Sequence, residues 1–232
     1  MLESIVDFIY EHAKQTAPNE CCGLAIIYHG KLKYIPCSNM LSGDSFCIPA
    51  EEYALAEDMG EVVAVCHSHV NLSSKPSEAD LVACEATQLP WLIVSYPSKE
   101  FTIHEPTGYK APLLGRPFYH GILDCYSLVR DYYKETLNLE LADFRRDDCW
   151  WNLGQNLYMD NFEKQGFVIV NDLKQHDGLL MCLGSEIVNH AAVYIGDGKI
   201  IQHCTNRLSS RDVYGGYWRK YTRYIVRHKS LL

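Results

Sequence analysis

The chain has 232 residues, a formal net charge of −8 and an apolar fraction of 47% that includes 16 Tyr and 4 Trp. That length suits two domains of about 100 residues each, and the apolar fraction is enough to pack a core in both. The acidic balance, with no basic stripe to offset it, argues against nucleic acid as a ligand, and no apolar run reaches the roughly 18 residues of a membrane span.

The N-terminal stretch MLESIVDFIYEHAKQTAP mixes acids among its apolar residues, so it lacks the basic start and unbroken apolar run of an export signal. Synthesis in a reducing cytoplasm is the expectation. There the ten cysteines serve as thiols, ligands or nucleophiles rather than as disulfides. Ile5, Phe8, Ile9 and Ala13 recur at helical spacing and predict a helix over residues 3–16, which Pro18 stops. GLAIIY and KLKYIPC read as strands joined by a hairpin turn at HGK, residues 29–31. PAEEYALAED predicts a helix, EVVAVCH a strand, and Ser77 to Gln88 a second amphipathic helix; WLIVSYP and EFTIHEP form a further strand pair. Residues 1–105 therefore predict a mixed α/β domain.

Residues 106–117, PTGYKAPLLGRP, hold three prolines and two glycines without periodicity and predict a linker. Residues 118–232 then follow a different order. CYSLVRDYYKETL is helical, DDCWWNLGQNLYMDNFEKQG predicts one or two helices, and FVIV, GLLMCL, HAAVYIG and KIIQHC predict strands. A helix followed by an antiparallel meander is an α+β order.

Two groups of residues carry chemistry. On a strand, residues i and i+2 face one side, so His67 and His69 can turn two imidazoles into one pocket. Ser77 opens the next helix with Asp80 in its first turn, from which a carboxylate reaches back. Two histidines, a carboxylate and a fourth position for water are the donor set of a catalytic zinc. Glu20, just before the strand CCGLAIIY, is placed to take a proton from that water and pass it to a leaving amine. Each part also has an ordinary explanation, with Ser77 as a helix cap, Asp80 as a helix-dipole partner and the histidines as surface residues. The whole pattern, Glu20 in PNECCGL followed by His67-x-His69-x7-Ser77-x-x-Asp80, resembles the JAMM metallopeptidase family over residues 1–105. The resemblance implies Zn2+ held by His67, His69 and Asp80, Glu20 as general acid/base, and Ser77 supporting the tetrahedral intermediate. It also implies cleavage of peptide or isopeptide bonds.

The second group is a thiol and an imidazole. Cys125 stands at the start of a predicted helix, where the helix dipole and free N–H groups favour a thiolate and backbone N–H groups are at hand for an oxyanion. His190 heads one strand and Gln202 lies on the next, so a nucleophile, a base and an orienting polar residue are all present. Taken singly, these residues also read as a core thiol, a turn histidine and a strand glutamine. DCYSLV with HAAVYIGDGKII resembles the NlpC family of cysteine peptidases across residues 112–215. That resemblance implies a papain-like α+β fold, Cys125 as nucleophile, His190 as base and Gln202 as the third polar residue. Tyr126 and Ser127 replace the family's Ser-Gly after the nucleophile, and GRPFYHG stands where the family has Pro-Tyr, with Tyr119 as the candidate for the supporting hydroxyl. His203, one step out of register, is expected to point to the opposite face of its strand unless a bulge intervenes.

In this order the two halves resemble a family of tail-tip assembly proteins of lambda-like phages. The resemblance implies other phage tail-tip proteins as partners. The substrate would be a peptide, from those proteins or from the stem peptide of peptidoglycan. It also implies action in the host cytoplasm during tail assembly, or at the virion tail tip. Two classes of function follow: a two-headed peptidase, or an assembly factor that keeps both folds for binding.

Overall fold

The computed structural model describes every residue from Met1 to Leu232 and divides into two compact units, Met1–Lys110 and Ala111–Leu232. No helix is long and apolar enough to cross a membrane.

In the first unit a 3-10 turn, Leu2–Ile5, leads into helix α1, Val6–Thr16. Strands β1, Cys22–Tyr28, and β2, Lys31–Cys37, form a hairpin. His29 and Gly30 both have positive φ, 47° and 74°, as a two-residue hairpin turn requires. Helix α2, Ala50–Met59, precedes β3, Glu61–Val70; helix α3, Glu78–Thr87, connects β3 to β4, Trp91–Tyr96, and β5 is Phe101–His104. The sheet order is β2-β1-β3-β4-β5. Pro36 is tolerated in β2 because that strand is an edge. β3 and β4 run parallel, which demands a crossover, and α3 supplies it.

Alternation along β3 decides where the chemistry lies. Ala64 and Cys66 join Ile5, Ile9 and Ala13 of α1 in one core layer, whereas Val65 packs with Ala56 of α2 and Cys84 of α3 in the other. His67 and His69 share the parity of Val65 and so stand on the α3 side.

The second unit contains helix α4, Cys125–Leu137, a 3-10 turn at Trp150–Leu153, and the short helix α5, Leu157–Asn161. Strands β6 Phe167–Val170, β7 Gly178–Met181, β8 His190–Gly196, β9 Lys199–Gln202 and β10 Ser210–Val213 follow, then helix α6, Gly216–Tyr221, and β11, Thr222–His228. The antiparallel order is β10-β9-β8-β7-β11-β6. This departs from the meander expected from sequence, because the last strand inserts between β6 and β7. Its pattern, TRYIVRH, hides the strand by placing Arg227 inward. Arg227 is 3% exposed and is held there by Asp177, with Nε–Oδ1 at 2.7 Å and Nη2–Oδ2 at 2.8 Å.

Residues 106–117 carry no helix or strand. From Ala111 onward, however, the segment is built into the second unit. Arg116 is fully buried, its N–H donates to Ser209 Oγ (3.1 Å), its carbonyl accepts from the Ser209 N–H (3.0 Å), and its guanidinium pairs with Asp131.

Candidate functional site

The N-terminus of α3 and the end of β3 converge. Ser77 is the N-cap; its Oγ accepts from the Asp80 N–H (3.1 Å), and Asp80 Oδ2 accepts in return from the Ser77 N–H (2.7 Å). This reciprocal cap fixes the Asp80 carboxylate opposite the two histidines. Asp80 Oδ2 lies 3.2 Å from His69 Nε2, Asp80 Oδ1 lies 3.4 Å from His67 Nε2, and the two Nε2 atoms are 3.2 Å apart. The ligand atoms of all three residues fall within 4.8 Å of one another.

The protonation pattern tests whether a metal fits. His69 Nδ1 is 2.7 Å from the Ser73 carbonyl, which only accepts, so the ring proton sits on Nδ1 and Nε2 turns its lone pair inward. An imidazole lone pair facing a carboxylate and a second imidazole is stable only with a proton or a cation among them. Without a cation the proton takes that place: burial lowers the His69 pKa, but the Asp80 carboxylate and Ser73 carbonyl outweigh it and raise the group overall. Burial likewise disfavours the Asp80 charge, and contacts from His67 and His69 more than compensate, holding the carboxyl well below the usual range. A buried set of two nitrogens and a carboxylate suits zinc. His67, fully buried, is fixed by stacking on Phe46, with ring centroids 4.7 Å apart.

Glu20 is buried beside this group. Its N–H donates to the Gly43 carbonyl (3.1 Å), its own carbonyl accepts from Asn39 Nδ2 (3.1 Å), and the neighbouring Cys21 N–H donates to Ser68 Oγ (2.9 Å). Burial pushes its carboxyl up to about 8, opposed by His69 and assisted by Asp80 and Asp44. Glu20 also lines an open cavity of about 530 Å³ together with His12, Asn39 and Glu52.

In the second unit Cys125 is the first residue of α4, and Asp124 is its N-cap. Asp124 Oδ1 accepts from the Ser127 N–H (2.9 Å), and the Asp124 N–H donates to Ser127 Oγ (2.6 Å). The remaining oxygen accepts from Arg146 Nε (2.7 Å) and the Gly121 N–H (3.0 Å). The substitutions after the nucleophile are accommodated. Ser127 completes the cap, and Tyr126 donates to the Ala142 carbonyl (2.7 Å), with its ring under Arg146.

Cys125 and His190 line one cavity of about 160 Å³ with Tyr158, Trp150, Asn189 and His203. The thiol differs from the sequence expectation of a dipole-stabilised thiolate. Burial pushes it up to about 11 and the Asp124 charge adds to this, outweighing Tyr158, the Ala191 backbone and Arg146. Its polar partner is Tyr158, with Sγ and Oη 3.1 Å apart. The hydroxyl at the thiol is that of Tyr158, 33 residues downstream of the nucleophile.

His190 Nε2 lies 3.0 Å from Gln202 Oε1, and Gln202 Nε2 donates to the Asp212 carboxylate. Trp218 stacks on the imidazole at 6.2 Å. His203 departs from its expected place on the far face. β9 ends at Gln202, so strand alternation no longer governs His203, which enters the Cys125 cavity and packs edge-on against Phe118 at 5.1 Å. Burial and the nearby Arg116 push its pKa down to about 4. Sequence reasoning missed Tyr158, Arg146 and Asp212. Only the Asp124 cap had a local signal, the D-x-x-S spacing in DCYS.

Residues 2–105 match the family described as prokaryotic homologs of the JAB domain, and residues 115–227 match the NlpC/P60 family. The chain thus joins two peptidase-type folds, a JAB-like α/β unit and an NlpC/P60 α+β unit. A tail tip assembly protein K of Escherichia phage N15 is 38% identical over 239 residues, covering 100% of this chain and 97% of its own length. That of Escherichia phage lambda is 41% identical over 182 residues, 78% of this chain and 88% of the relative. A JAB1/MPN domain protein of Archaeoglobus fulgidus, known from its crystal structure, is similar over 47% of this chain and 88% of its own, at 21% identity and a TM-score of 0.32. The chain belongs to the tail tip assembly protein K family.

Proposed function

We propose that the chain works in phage tail-tip assembly beside other tail-tip proteins, carrying two amide-hydrolysing centres, one zinc-dependent and one thiol-dependent. The observation that carries the reading is the convergence of His67, His69 and Asp80 on one point with Glu20 beside them. A zinc ion held by those three residues would supply Lewis acidity toward the scissile carbonyl. Glu20 takes a proton from the attacking water and delivers it to the leaving amine, a role that suits a carboxyl pushed up to about 8. Ser77 uses its oxygen as the cap acceptor, which leaves its O–H proton to be donated to the developing oxyanion.

In the thiol centre, the Cys125 proton passes to His190 and the sulfur attacks the amide carbon. The amine leaves with the proton from His190, and water then hydrolyses the thioester. The substrates are peptide bonds of tail proteins or, for the thiol centre, of the cell-wall stem peptide. A second reading is favoured by one observation, the burial of the Cys125 thiol against the Tyr158 hydroxyl, with Sγ and Oη 3.1 Å apart. On that reading the chain is an assembly factor whose thiol fold serves for binding alone.

The deciding experiment complements a phage lacking this protein with Glu20→Gln, Cys125→Ala and the double variant, followed by mass spectrometry of the tail proteins. Loss of infectious tails with folded variants supports catalysis and reveals any partner left uncut. Full complementation by the double variant rejects the enzyme reading.

A further inference from the structure

We propose that Asp212 is a positioning residue for His190, setting the direction of the Gln202 amide and thereby the ring nitrogen that carries the proton. The inference rests on the thiol-centre reading above. Strands β8, β9 and β10 lie side by side, with Ala192 opposite Gln202 and Gln202 opposite Ser210. Residues two apart on a strand share a face, so His190, Gln202 and Asp212 stand on one face of three neighbouring strands, each diagonal to the next.

Their hydrogen bonds leave little freedom. An ionised carboxylate only accepts, so Asp212 holds the NH2 end of the Gln202 amide and turns its carbonyl end toward His190. That carbonyl oxygen also only accepts, so His190 must present an N–H at Nε2, 3.0 Å away. In a neutral imidazole the lone pair is then on Nδ1. This is the nitrogen that receives the Cys125 proton. The S–H bond breaks, an Nδ1–H bond forms, and a thiolate and an imidazolium result.

Without Asp212 the amide is free to reverse. Gln202 then presents N–H to Nε2, the ring adopts the other tautomer, and Nδ1 is already protonated and unable to act as base. Gln202 is 1% exposed, so bulk water does not substitute for the missing partner.

The test uses the full-length protein with 15N-labelled histidine. Two-bond 15N–1H spectra at neutral pH, assigned with His190→Asn, report the tautomer directly. Wild type should show an unprotonated Nδ1 and a protonated Nε2 at His190. In Asp212→Asn, nearly isosteric but able to pair with the amide in either direction, the proportion of Nδ1–H tautomer should rise at least about fivefold, the size of effect one hydrogen bond commands. A wild-type ring protonated at Nδ1 overturns the proposal, and so does a folded Asp212→Asn with an unchanged ratio. The wild-type spectrum decides even if the variant fails to fold. Alkylation of Cys125 by iodoacetamide tests the parent reading separately. If His190→Ala leaves its rate unchanged at every pH, the thiol centre fails as proposed, while the tautomer result still decides the role of Asp212.

Discussion

Both units build their candidate centre on the first turn of a helix closed by a reciprocal cap, with opposite residue order. In α3 the cap is Ser77 and its partner Asp80; in α4 the cap is Asp124 and its partner Ser127. In the first unit the carboxylate belongs to the third helical residue, so the group that closes the cap also faces His67 and His69. In the second unit the carboxylate is the cap itself, fully committed to N–H groups and Arg146, and the reactive candidate is the neighbouring thiol. The same local device therefore presents a carboxylate to two imidazoles in one unit and a buried thiol in the other.

The sharpest way to break this comparison is metal analysis. Wild-type protein is expected to hold close to one zinc per chain, and Asp80→Ala or His69→Ala to hold none, as measured by elemental mass spectrometry on folded protein. Wild type purified metal-free from zinc-replete cells would remove the distinction between a ligand cap and a structural one.

Next in size is the Asp124–Arg146 pair. Arg146→Met strands a buried carboxylate and is expected to destabilise the second unit by about 3–5 kcal/mol in urea unfolding. Adding Asp124→Asn should recover part of that loss.

The thiol predicts a pH effect with a definite sign. Burial raises Cys125 from its ordinary value of 9.0 to about 11, so the unfolded chain ionises first. The stability linked to the protonated thiol is fully present below about pH 9 and is lost as pH rises to about 11, by up to about 3 kcal/mol. The stability difference between wild type and Cys125→Ala should shift by that amount over this interval. A flat difference would mean that the thiol is not held in its protonated form.

The smallest effect separates cap from ligand. Ser77→Ala removes the acceptor for the Asp80 N–H and should cost about 1 kcal/mol, while His67, His69 and Asp80 still retain zinc.

What was legible in the sequence follows the range of the interactions. The strand parity of His67 and His69 and the cap spacing of Ser77 and Asp80 are local, so the pattern allowed these residues to meet, and the family resemblance chose that reading over a plain cap and surface histidines. Gln202 was reached because it lies 12 residues from His190 on the adjoining strand. Tyr158 and Arg146 act across 33 and 22 residues with no periodic signature, and Asp212, only 10 residues from Gln202, was missed because its short strand β10 was not recognised. β11 escaped detection because an inward arginine, neutralised by Asp177, breaks the apolar alternation that marks a strand. His203 was misplaced for a different reason: alternation was extended one residue past the end of β9.

The insertion of β11 between β6 and β7 also bears on how the protein is made. β6 has β11 as its sole strand neighbour, and β11 follows every other strand of that sheet along the chain. The sheet that carries His190 and Gln202 therefore stays incomplete until residues 222–228 have emerged, whereas every strand of the first unit has emerged by residue 104. A ribosome releasing this chain delivers a first unit able to fold ahead of the second, and removal of β11 would uncover the facing edges of β6 and β7 at once.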